Sequence, residues 1–189
     1  MNATVAHISI PKSGEHTNGD AVLVRRTESG HLLLAVIDGL GHGPNAAKPS
    51  QLAVNWLQTA ALEQPLSVMM QALHTLLRDT RGAAATLCVI RGDVLEGCAV
   101  GNVQFSCMNG SVGMVLSSGV LGQRMPKLRV CEAVLKPGMR IAVFSDGIST
   151  KFRLDESRQL RPQQACALAI ERHRKKEDDA TILIADLEA

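Results

Sequence analysis

The sequence predicts an α+β domain in which antiparallel strands and helices form separate layers. Two observations support this class: eight short apolar segments are typical of strands, and three other segments repeat apolar residues at helical spacing. The chain has 189 residues, enough to bury one good core, and no linker, repeat or composition shift divides it. We therefore expect a single domain over residues 1–189.

The strand candidates are short and rich in branched apolar residues. Turn-forming residues join several neighbours, at 28–30, 91–93, 101–102 and 137–138. Joins this short cannot carry a parallel crossover, so we predict antiparallel hairpins. The candidates are residues 21–24, 31–37, 85–90, 94–100, 103–108, 127–135, 140–145 and 180–187.

Two helices are predicted between the second and third strands, and a third near the end of the sequence. Apolar residues recur on one helical face between positions 49 and 60, and again between 69 and 77. The third helix should cover residues 162–173, with Pro162 in its first turn. Trp56 lies on the first apolar face, so core packing explains it without a cofactor.

Composition excludes several classes of function. The net charge of +2 gives no electrostatic footprint for nucleic acid or for an acidic membrane surface. No apolar run approaches the roughly 20 residues that span a bilayer, and no signal-peptide pattern is present. The five cysteines form no CxxC pair, so we expect reduced core residues rather than zinc ligands. These features predict a cytoplasmic protein with no nucleic-acid or membrane partner.

Aspartates fall at the ends of several predicted strands. Asp38 follows the apolar run LAVI and Asp146 follows AVFS, so both lie at C-terminal strand tips. Asp20 precedes AVLV, and the pair Asp178-Asp179 precedes ATILI, so these lie at strand starts. Because the end of one antiparallel strand lies beside the start of the next, all of them can share one sheet edge.

Such a carboxylate cluster predicts a site for hard divalent cations. Crowded carboxylates repel one another, and a bound cation removes that conflict. Oxygen-only ligands select Mg²⁺ or Mn²⁺, and two such ions about 3.5–4 Å apart can activate water and hold a phosphoryl group. The glycines of Gly39-x-Gly41-x-Gly43 would let the backbone approach, with a carbonyl available as a ligand.

The segment around Asp38 is also compatible with other structures and functions. Any single Asp-Gly at a strand end is an ordinary turn, and only the joint pattern is specific. His42 could be a ligand, although a histidine in a glycine-rich turn more often makes a hydrogen bond. The glycine spacing matches neither a Walker loop nor a dinucleotide-binding turn, which disfavours nucleotide binding.

The ordered motifs resemble the metal-dependent PPM, or PP2C-type, protein phosphatases. They run from about residue 18 to 184, and the compact length together with SSGVLGQRMPK at 117–127 resembles in particular the bacterial stress-signalling RsbX branch. The motifs are NGD (18–20), AVIDGLGHG (35–43), RGAAATL (81–87), AVGNVQF (99–105), FSDGI (144–148) and DDATILI (178–184).

The resemblance implies a four-layer αββα sandwich, with two antiparallel sheets flanked by helices, and a centre of two Mn²⁺ or Mg²⁺ ions. Asp38 matches the bridging aspartate, and Asp20 matches a carboxylate that often holds the first ion through water. Asp178 is preferred over Asp179 because the family pattern places its metal aspartate first. The implied metal ligands are Asp20, Asp38, the Gly39 carbonyl, Asp146 and Asp178.

The activity implied by the resemblance is hydrolysis of phosphoserine or phosphothreonine by a metal-bridging hydroxide, without a covalent phosphoenzyme. Asp38 and His42 are the candidate catalytic residues; either His42 or a metal-bound water could protonate the leaving oxygen. The implied substrates are phosphorylated STAS-domain proteins of the stressosome, of the RsbR and RsbS types.

The sequence departs from the family in one respect. Eukaryotic members carry a phosphate-gripping arginine shortly before the aspartate that matches Asp20, and SGEHTNGD has none. The metals, the backbone or another cation, such as Arg124 or Lys127, would then have to bind the phosphate. Two alternatives to a phosphatase remain: a non-catalytic PPM-fold adaptor that binds a signalling partner, and a plain structural or nucleotide-binding α+β domain.

Overall fold

A computed structural model describes all residues from Met1 to Ala189. The helices are α1 (Pro44–Leu57), α2 (Leu66–Leu76) and α3 (Pro162–His173), with one 3₁₀ turn at Leu154–Ser157. The strands are β1 (Asn2–Ile10), β2 (Asp20–Arg26), β3 (Leu32–Gly39), β4 (Ala83–Arg91), β5 (Val94–Val100), β6 (Gln104–Met108), β7 (Leu116–Ser117), β8 (Val130–Val134), β9 (Arg140–Phe144) and β10 (Ala180–Glu188). No helix is both long enough and apolar enough to cross a membrane.

The strands form two sheets. One has four strands in the order β1-β10-β9-β6, and the other has six, in the order β2-β3-β4-β5-β7 with β8 also paired to β5. Every strand pair is antiparallel except β5 with β7, which share a two-residue parallel ladder. The predicted pair of antiparallel sheets is therefore confirmed.

Three apolar clusters show how the layers stack. Side chains of the two sheets meet in the middle, for example Val36 with Val143 and Leu183. The alternate residues of β3, such as Ile37, face α1 and α2, and α3 packs its Cys166 on the outer face of the four-stranded sheet. Strand β3 is thus buried on both faces, which explains its continuous apolar run. The αββα sandwich is confirmed.

Two predicted hairpins are wrong. The joins at 28–30 and 91–93 do connect antiparallel neighbours, β2 with β3 and β4 with β5. The joins at 101–102 and 137–138 instead carry the chain from the six-stranded sheet to the four-stranded sheet. A tight turn has the same local chemistry whether the next strand pairs in the same sheet or enters the facing one, so the turn residues could not distinguish the two.

The boundaries also differ in places. Strand β1 was not predicted, because it mixes Thr4, His7 and Ser9 with apolar residues and has no continuous apolar run. The candidate at 127–135 shortens to β8, and the two-residue β7 was missed. All five cysteines are free, as predicted, and three of them are buried. Helix α3 has the predicted bounds.

Candidate metal centre

Strands β2 and β3 bring two of the predicted ligands face to face. The register of this antiparallel pair places Asp20, the first residue of β2, directly opposite Asp38 near the end of β3. Asp38 also pairs with Ala84 of β4 on its other side. The expectation that a strand start and a strand end share one edge holds for this pair.

The four-stranded sheet contributes its own carboxylates at the same edge. Asp146 follows the end of β9, and Asp178 precedes the start of β10, which are neighbouring strands. Ser145 joins the two sheets: its hydroxyl lies 2.6 Å from the Asp20 carboxylate and donates to it, while accepting the backbone N–H of Thr181 at 3.0 Å. The edges of both sheets therefore meet at the aspartates.

A cavity of about 290 Å³ opens at this junction. The predicted carboxylates of Asp38, Asp146 and Asp178 line it, whereas Asp20 lies beneath with only 6% of its surface exposed. Gly39 is buried and does not line the cavity. The lining residues are Asp38, Leu40, Gly41, His42, Asn102, Asp146, Glu177 and Asp178.

The structure separates the roles of Asp178 and Asp179. Both carboxylate oxygens of Asp179 accept backbone N–H groups, one from Lys12 at 2.9 Å and one from Gly19 at 3.0 Å. Asp179 is buried and tethers the chain that leads into β2. Asp178 lines the cavity instead. This geometry supports Asp178 as the ligand candidate.

The carboxyls of this site are crowded together, and none of them forms an ion pair with an arginine or lysine side chain. Burial raises the pKa of the Asp38 carboxyl to about 9, and the charges of Asp20 and Asp146 add to the effect. Burial likewise raises the pKa of Asp20 to about 7, against the lowering effect of its hydrogen bond from Ser145. The pKa of Asp178 is raised by burial and by Asp146. Carboxyls in this position are costly to ionise without a cation.

The donor set fits hard divalent ions. All the side-chain donors are carboxylate oxygens, which Mg²⁺ and Mn²⁺ prefer. In the metal-free structure no three His, Cys, Asp or Glu side chains lie close enough together to hold an ion by themselves. The carboxylates surround an open cavity, and such a site suits ions that keep part of their water shell, as Mg²⁺ does.

The glycine-rich turn after β3 is shaped by close packing. A methyl group at Gly39 would lie 1.9 Å from the carbonyl oxygen of Ala46, so only glycine lets the first turn of α1 approach the end of β3. Gly41 and Gly43 have φ of +94° and +69°, a region that favours glycine. Helix α1 then begins at Pro44, earlier than the apolar face between positions 49 and 60 indicated.

His42 lies on the cavity wall in a defined orientation. Its Nδ1 is 3.0 Å from Oε1 of Glu15, and its side chain is 48% exposed. Because Nδ1 is engaged, Nε2 is the ring nitrogen left free for another partner. His42 is not hydrogen-bonded to any of the aspartates.

Sequence reasoning missed three residues that order the site. Asn102 donates through Nδ2 to Asp146 at 2.6 Å, Ser145 donates to Asp20, and Glu15 holds His42. Asn102 and Ser145 lie in motifs that were noted, and a polar residue next to a strand-end turn was an available signal. Glu15 offered none, because 27 residues separate it from its partner.

The predicted phosphate-binding cations are not brought to the site. Neither Arg124 nor Lys127 lines the aspartate cavity, and Lys127 lines a separate one with Ser117 and Ser118. Lys175 is closer, because its Nζ donates to the backbone carbonyl of Asp146 at 2.5 Å.

A two-sheet sandwich with helices on both faces and an aspartate-lined edge defines the class: this is a PP2C-type phosphatase fold. A family model described as Stage II sporulation protein E (SpoIIE) matches residues 28–188. The chain therefore belongs to the SpoIIE family, which confirms the predicted relationship to PP2C-type proteins. No curated protein sequence shows a significant match.

Solved structures agree with this assignment. A chain from work on the bacterial stressosome, described as a modular system adapted to control secondary messenger signalling, has a TM-score of 0.90 and 29% identity, covering 98% of this chain and 100% of that one. RsbX in complex with magnesium has a TM-score of 0.86 and 20% identity, covering 98% and 96%. The catalytic domain of the serine/threonine phosphatase PstP, in complex with two manganese ions, has a TM-score of 0.75 and 18% identity, covering 99% of each chain.

Proposed function

We propose that residues 1–189 form one metal-dependent protein serine/threonine phosphatase domain. The observation that carries the proposal is the meeting of Asp38, Asp146 and Asp178 around one cavity where the edges of the two sheets join. Burial raises the pKa of Asp38 and Asp20, and a bound divalent cation would stabilise their ionised carboxylates. The similarity to magnesium-bound RsbX and manganese-bound PstP supports the same reading.

The oxygen donors proposed for two Mn²⁺ or Mg²⁺ ions are Asp38, Asp146 and Asp178 in the cavity wall, with Asp20 and the Gly39 carbonyl buried outside the lining. When bound, the ions supply an activated water and neutralise charge on the phosphoryl oxygens. Asp38 would contribute to holding both ions, since it is paired opposite Asp20 and lines the cavity together with Asp146 and Asp178. Ser145 and Asn102 fix the orientation of Asp20 and Asp146 through their hydrogen bonds.

We propose that His42 donates a proton to the leaving group. Glu15 holds Nδ1, so the free Nε2 can carry a proton to the serine or threonine oxygen as the phosphate ester breaks. A metal-bound water is the alternative donor. If His42 is the donor, His42→Ala should lower the rate on phosphoserine or phosphothreonine but not on a substrate with a good leaving group, such as p-nitrophenolate. If a metal-bound water is the donor, His42→Ala should not show this difference.

The substrates we propose are phosphorylated STAS-domain proteins of the RsbR and RsbS types, in the cytoplasm. Support comes from the similarity to RsbX and to the stressosome-associated structure, each of which covers 98% of this chain. The phosphatase would reset such a signalling complex by removing phosphate from serine or threonine.

The test is phosphate release from a phosphorylated STAS-domain partner in the presence of Mn²⁺. Asp38→Asn should lower the rate by about 100-fold or more, because it removes the shared ligand and the charge that holds both ions. Asp93→Asn is the matched control: it is the same substitution on an exposed turn at the opposite end of β4. Equal rates in wild type and Asp38→Asn, or no release by either, contradict the proposal.

Calorimetry distinguishes the adaptor alternative. A phosphatase of this design binds divalent ions, and Asp38→Asn should weaken that binding. A chain that binds the STAS partner but binds no Mn²⁺ or Mg²⁺ is an adaptor.

A further inference from the structure

The proposed phosphatase lacks an obvious residue to bind the phosphate. The segment SGEHTNGD before β2 has no arginine, and neither Arg124 nor Lys127 lines the cavity. A phosphomonoester carries a charge near −2 at neutral pH and must enter a cavity whose walls are acidic. A cation near the mouth of that cavity would favour its entry.

Arg81 is that cation. Its Nη1 lies so close to Gly41 that a methyl group on Gly41 would be only 3.1 Å away. Gly41 is part of the cavity wall, next to His42 and three residues after Asp38. Arg81 does not itself line the cavity, but its guanidinium group lies beside Gly41 in the cavity wall, which is closer than the side chains of Arg124 and Lys127 are shown to come.

The backbone of Arg81 is fixed in this place. Gln123 donates from Nε2 to the Arg81 carbonyl at 2.5 Å, and the N–H of Leu40 donates to the carbonyl of Gly82 at 3.1 Å. The second bond ties the Arg81 turn directly to the turn that carries Gly41. Gly82 is itself confined, because a methyl group there would lie 2.5 Å from the carbonyl oxygen of Leu121.

The side chain of Arg81 is exposed and uncommitted. Its guanidinium takes part in none of the five ion pairs of the chain and donates no hydrogen bond within it. Lys175, the other cation near the aspartates, already donates its Nζ to the backbone of Asp146. Of the two, only Arg81 has a full set of free donors.

We propose that Arg81 binds the phosphoryl group of the substrate and so takes the part of the arginine that is missing before Asp20. The proposal rests on the phosphatase function proposed above. A guanidinium presents two parallel N–H donors that match two oxygens of a phosphate, and the pair is charge-assisted. Gly41 leaves room for this planar group beside the cavity, which a larger residue would fill.

The experiment compares Arg81→Ala and Arg81→Lys with the wild type, each loaded with Mn²⁺. Arg78→Ala is the matched control, because Arg78 is also exposed, lies three residues away and carries the same charge. The quantities are kcat and KM on a phosphorylated STAS-domain protein, the inhibition constant of inorganic phosphate, and the affinity for Mn²⁺ by calorimetry.

Arg81→Ala should lower kcat/KM by about 10- to 100-fold, the cost of losing a hydrogen-bonded charge partner. The inhibition constant of inorganic phosphate should rise by at least about fivefold, while the affinity for Mn²⁺ stays within about twofold. Arg81→Lys should recover part of the loss, since lysine keeps the positive charge but lacks the two parallel N–H donors of the guanidinium. Arg78→Ala should behave as the wild type.

Two results overturn the inference. The first is an Arg81→Ala protein that matches the wild type and Arg78→Ala in both kcat/KM and phosphate inhibition. The second is a loss of activity in Arg81→Ala that weaker Mn²⁺ binding fully explains. If the wild type releases no phosphate from any substrate, the proposed function fails. The role of Arg81 is then decided by calorimetric binding of inorganic phosphate to the Mn²⁺-loaded wild type and to Arg81→Ala. Equal affinities reject that role, and weaker binding by Arg81→Ala supports it.

Discussion

Strands β9 and β10 have acidic residues near both ends, and these residues are paired with a cation at one end only. At one end, Asp186 accepts two hydrogen bonds from Arg140, at 2.5 and 2.7 Å. At the other end, Asp146 and Asp178 face a cavity with Asp38, and no arginine or lysine side chain pairs with their carboxylates. The same two strands thus hold one neutralised acid and one cluster of acids that is not neutralised.

The difference separates a structural ion pair from a binding site. Arg140 also donates to the carbonyls of Ser157 and Leu160, so its end of the sheet is fully hydrogen-bonded and needs no further partner. A cavity of about 430 Å³ lies beside that end and is larger than the aspartate cavity, but its acid is already paired. Cavity volume therefore does not identify the binding site, and a third cavity of about 580 Å³, beside Asp155 and Arg172, is larger than both.

The largest expected effect is at the paired end. Arg140→Ala should lower the free energy of unfolding by about 3 kcal/mol, because it leaves Asp186 without its partner and frees two carbonyls. Urea unfolding followed by circular dichroism measures this. Arg158→Ala is the control, since Arg158 is exposed and lines the same cavity.

The two variants should differ clearly. Arg158→Ala should change the free energy of unfolding by less than about 0.5 kcal/mol, as is usual for surface positions. An Arg140→Ala protein as stable as Arg158→Ala would show that the ion pair is not what closes this end.

The second effect is at the unpaired end and depends on metal. Mn²⁺ at 100 times its dissociation constant should stabilise the folded wild type by about 2.7 kcal/mol. Asp178→Asn should lose most of this stabilisation. Asp179→Asn should keep it but be less stable without metal, because the buried Asp179 accepts the backbone N–H groups of Lys12 and Gly19. Thermal unfolding with Mn²⁺ or EDTA measures both.

The neighbouring substitutions test the ligand assignment. If Asp179→Asn abolishes the Mn²⁺ effect while Asp178→Asn retains it, the two residues have been assigned in the wrong order. If Mn²⁺ stabilises neither the wild type nor Asp179→Asn, the aspartate cavity binds no metal.

Much of the candidate site was predictable because it depends on local sequence and one rule of sheet geometry. Asp38 and Asp146 each end an apolar strand and precede a glycine, and antiparallel pairing then requires strand starts such as Asp20 to lie nearby. The double burial of β3 was also visible as an unbroken apolar run. These features need no knowledge of distant contacts.

The remainder depends on contacts between distant parts of the chain. Glu15 meets His42, Arg81 meets Gly41 and Gln123 fixes Arg81, although none of these pairs lies in a shared motif. The turns at 101–102 and 137–138 have ordinary turn chemistry, and only the packing of the two sheets decides that they change sheet. Sequence patterns record local conformation and leave such tertiary contacts open.

The smallest effect, counted for one group over one pH unit, is the pH dependence of the metal-free protein, and it follows from the same unpaired carboxyls. Burial raises the pKa of Asp38 to about 9 and that of Asp20 to about 7, whereas both are near 3.8 in an unfolded chain. Between these values the folded state binds more protons than the unfolded state, so the free energy of unfolding falls as pH rises. The stability contributed by the protonated carboxyls is complete below about pH 4 and is lost as pH rises through about 7 and then 9.

The slope cannot exceed about 1.4 kcal/mol per pH unit for each titrating group. Urea unfolding in EDTA from pH 5 to pH 9 should therefore give a steadily falling midpoint for the wild type. Asn at position 38 carries no charge at any pH, so Asp38→Asn should flatten the upper part of the curve, and Asp93→Asn should not. Saturating Mn²⁺ should reverse the trend, because the ions bind the ionised carboxylates and higher pH then favours the folded, loaded state. A metal-free midpoint that rises with pH equally in the wild type and Asp38→Asn would mean that the aspartates at this edge are already neutralised by the protein itself, as Asp186 is by Arg140 at the other end.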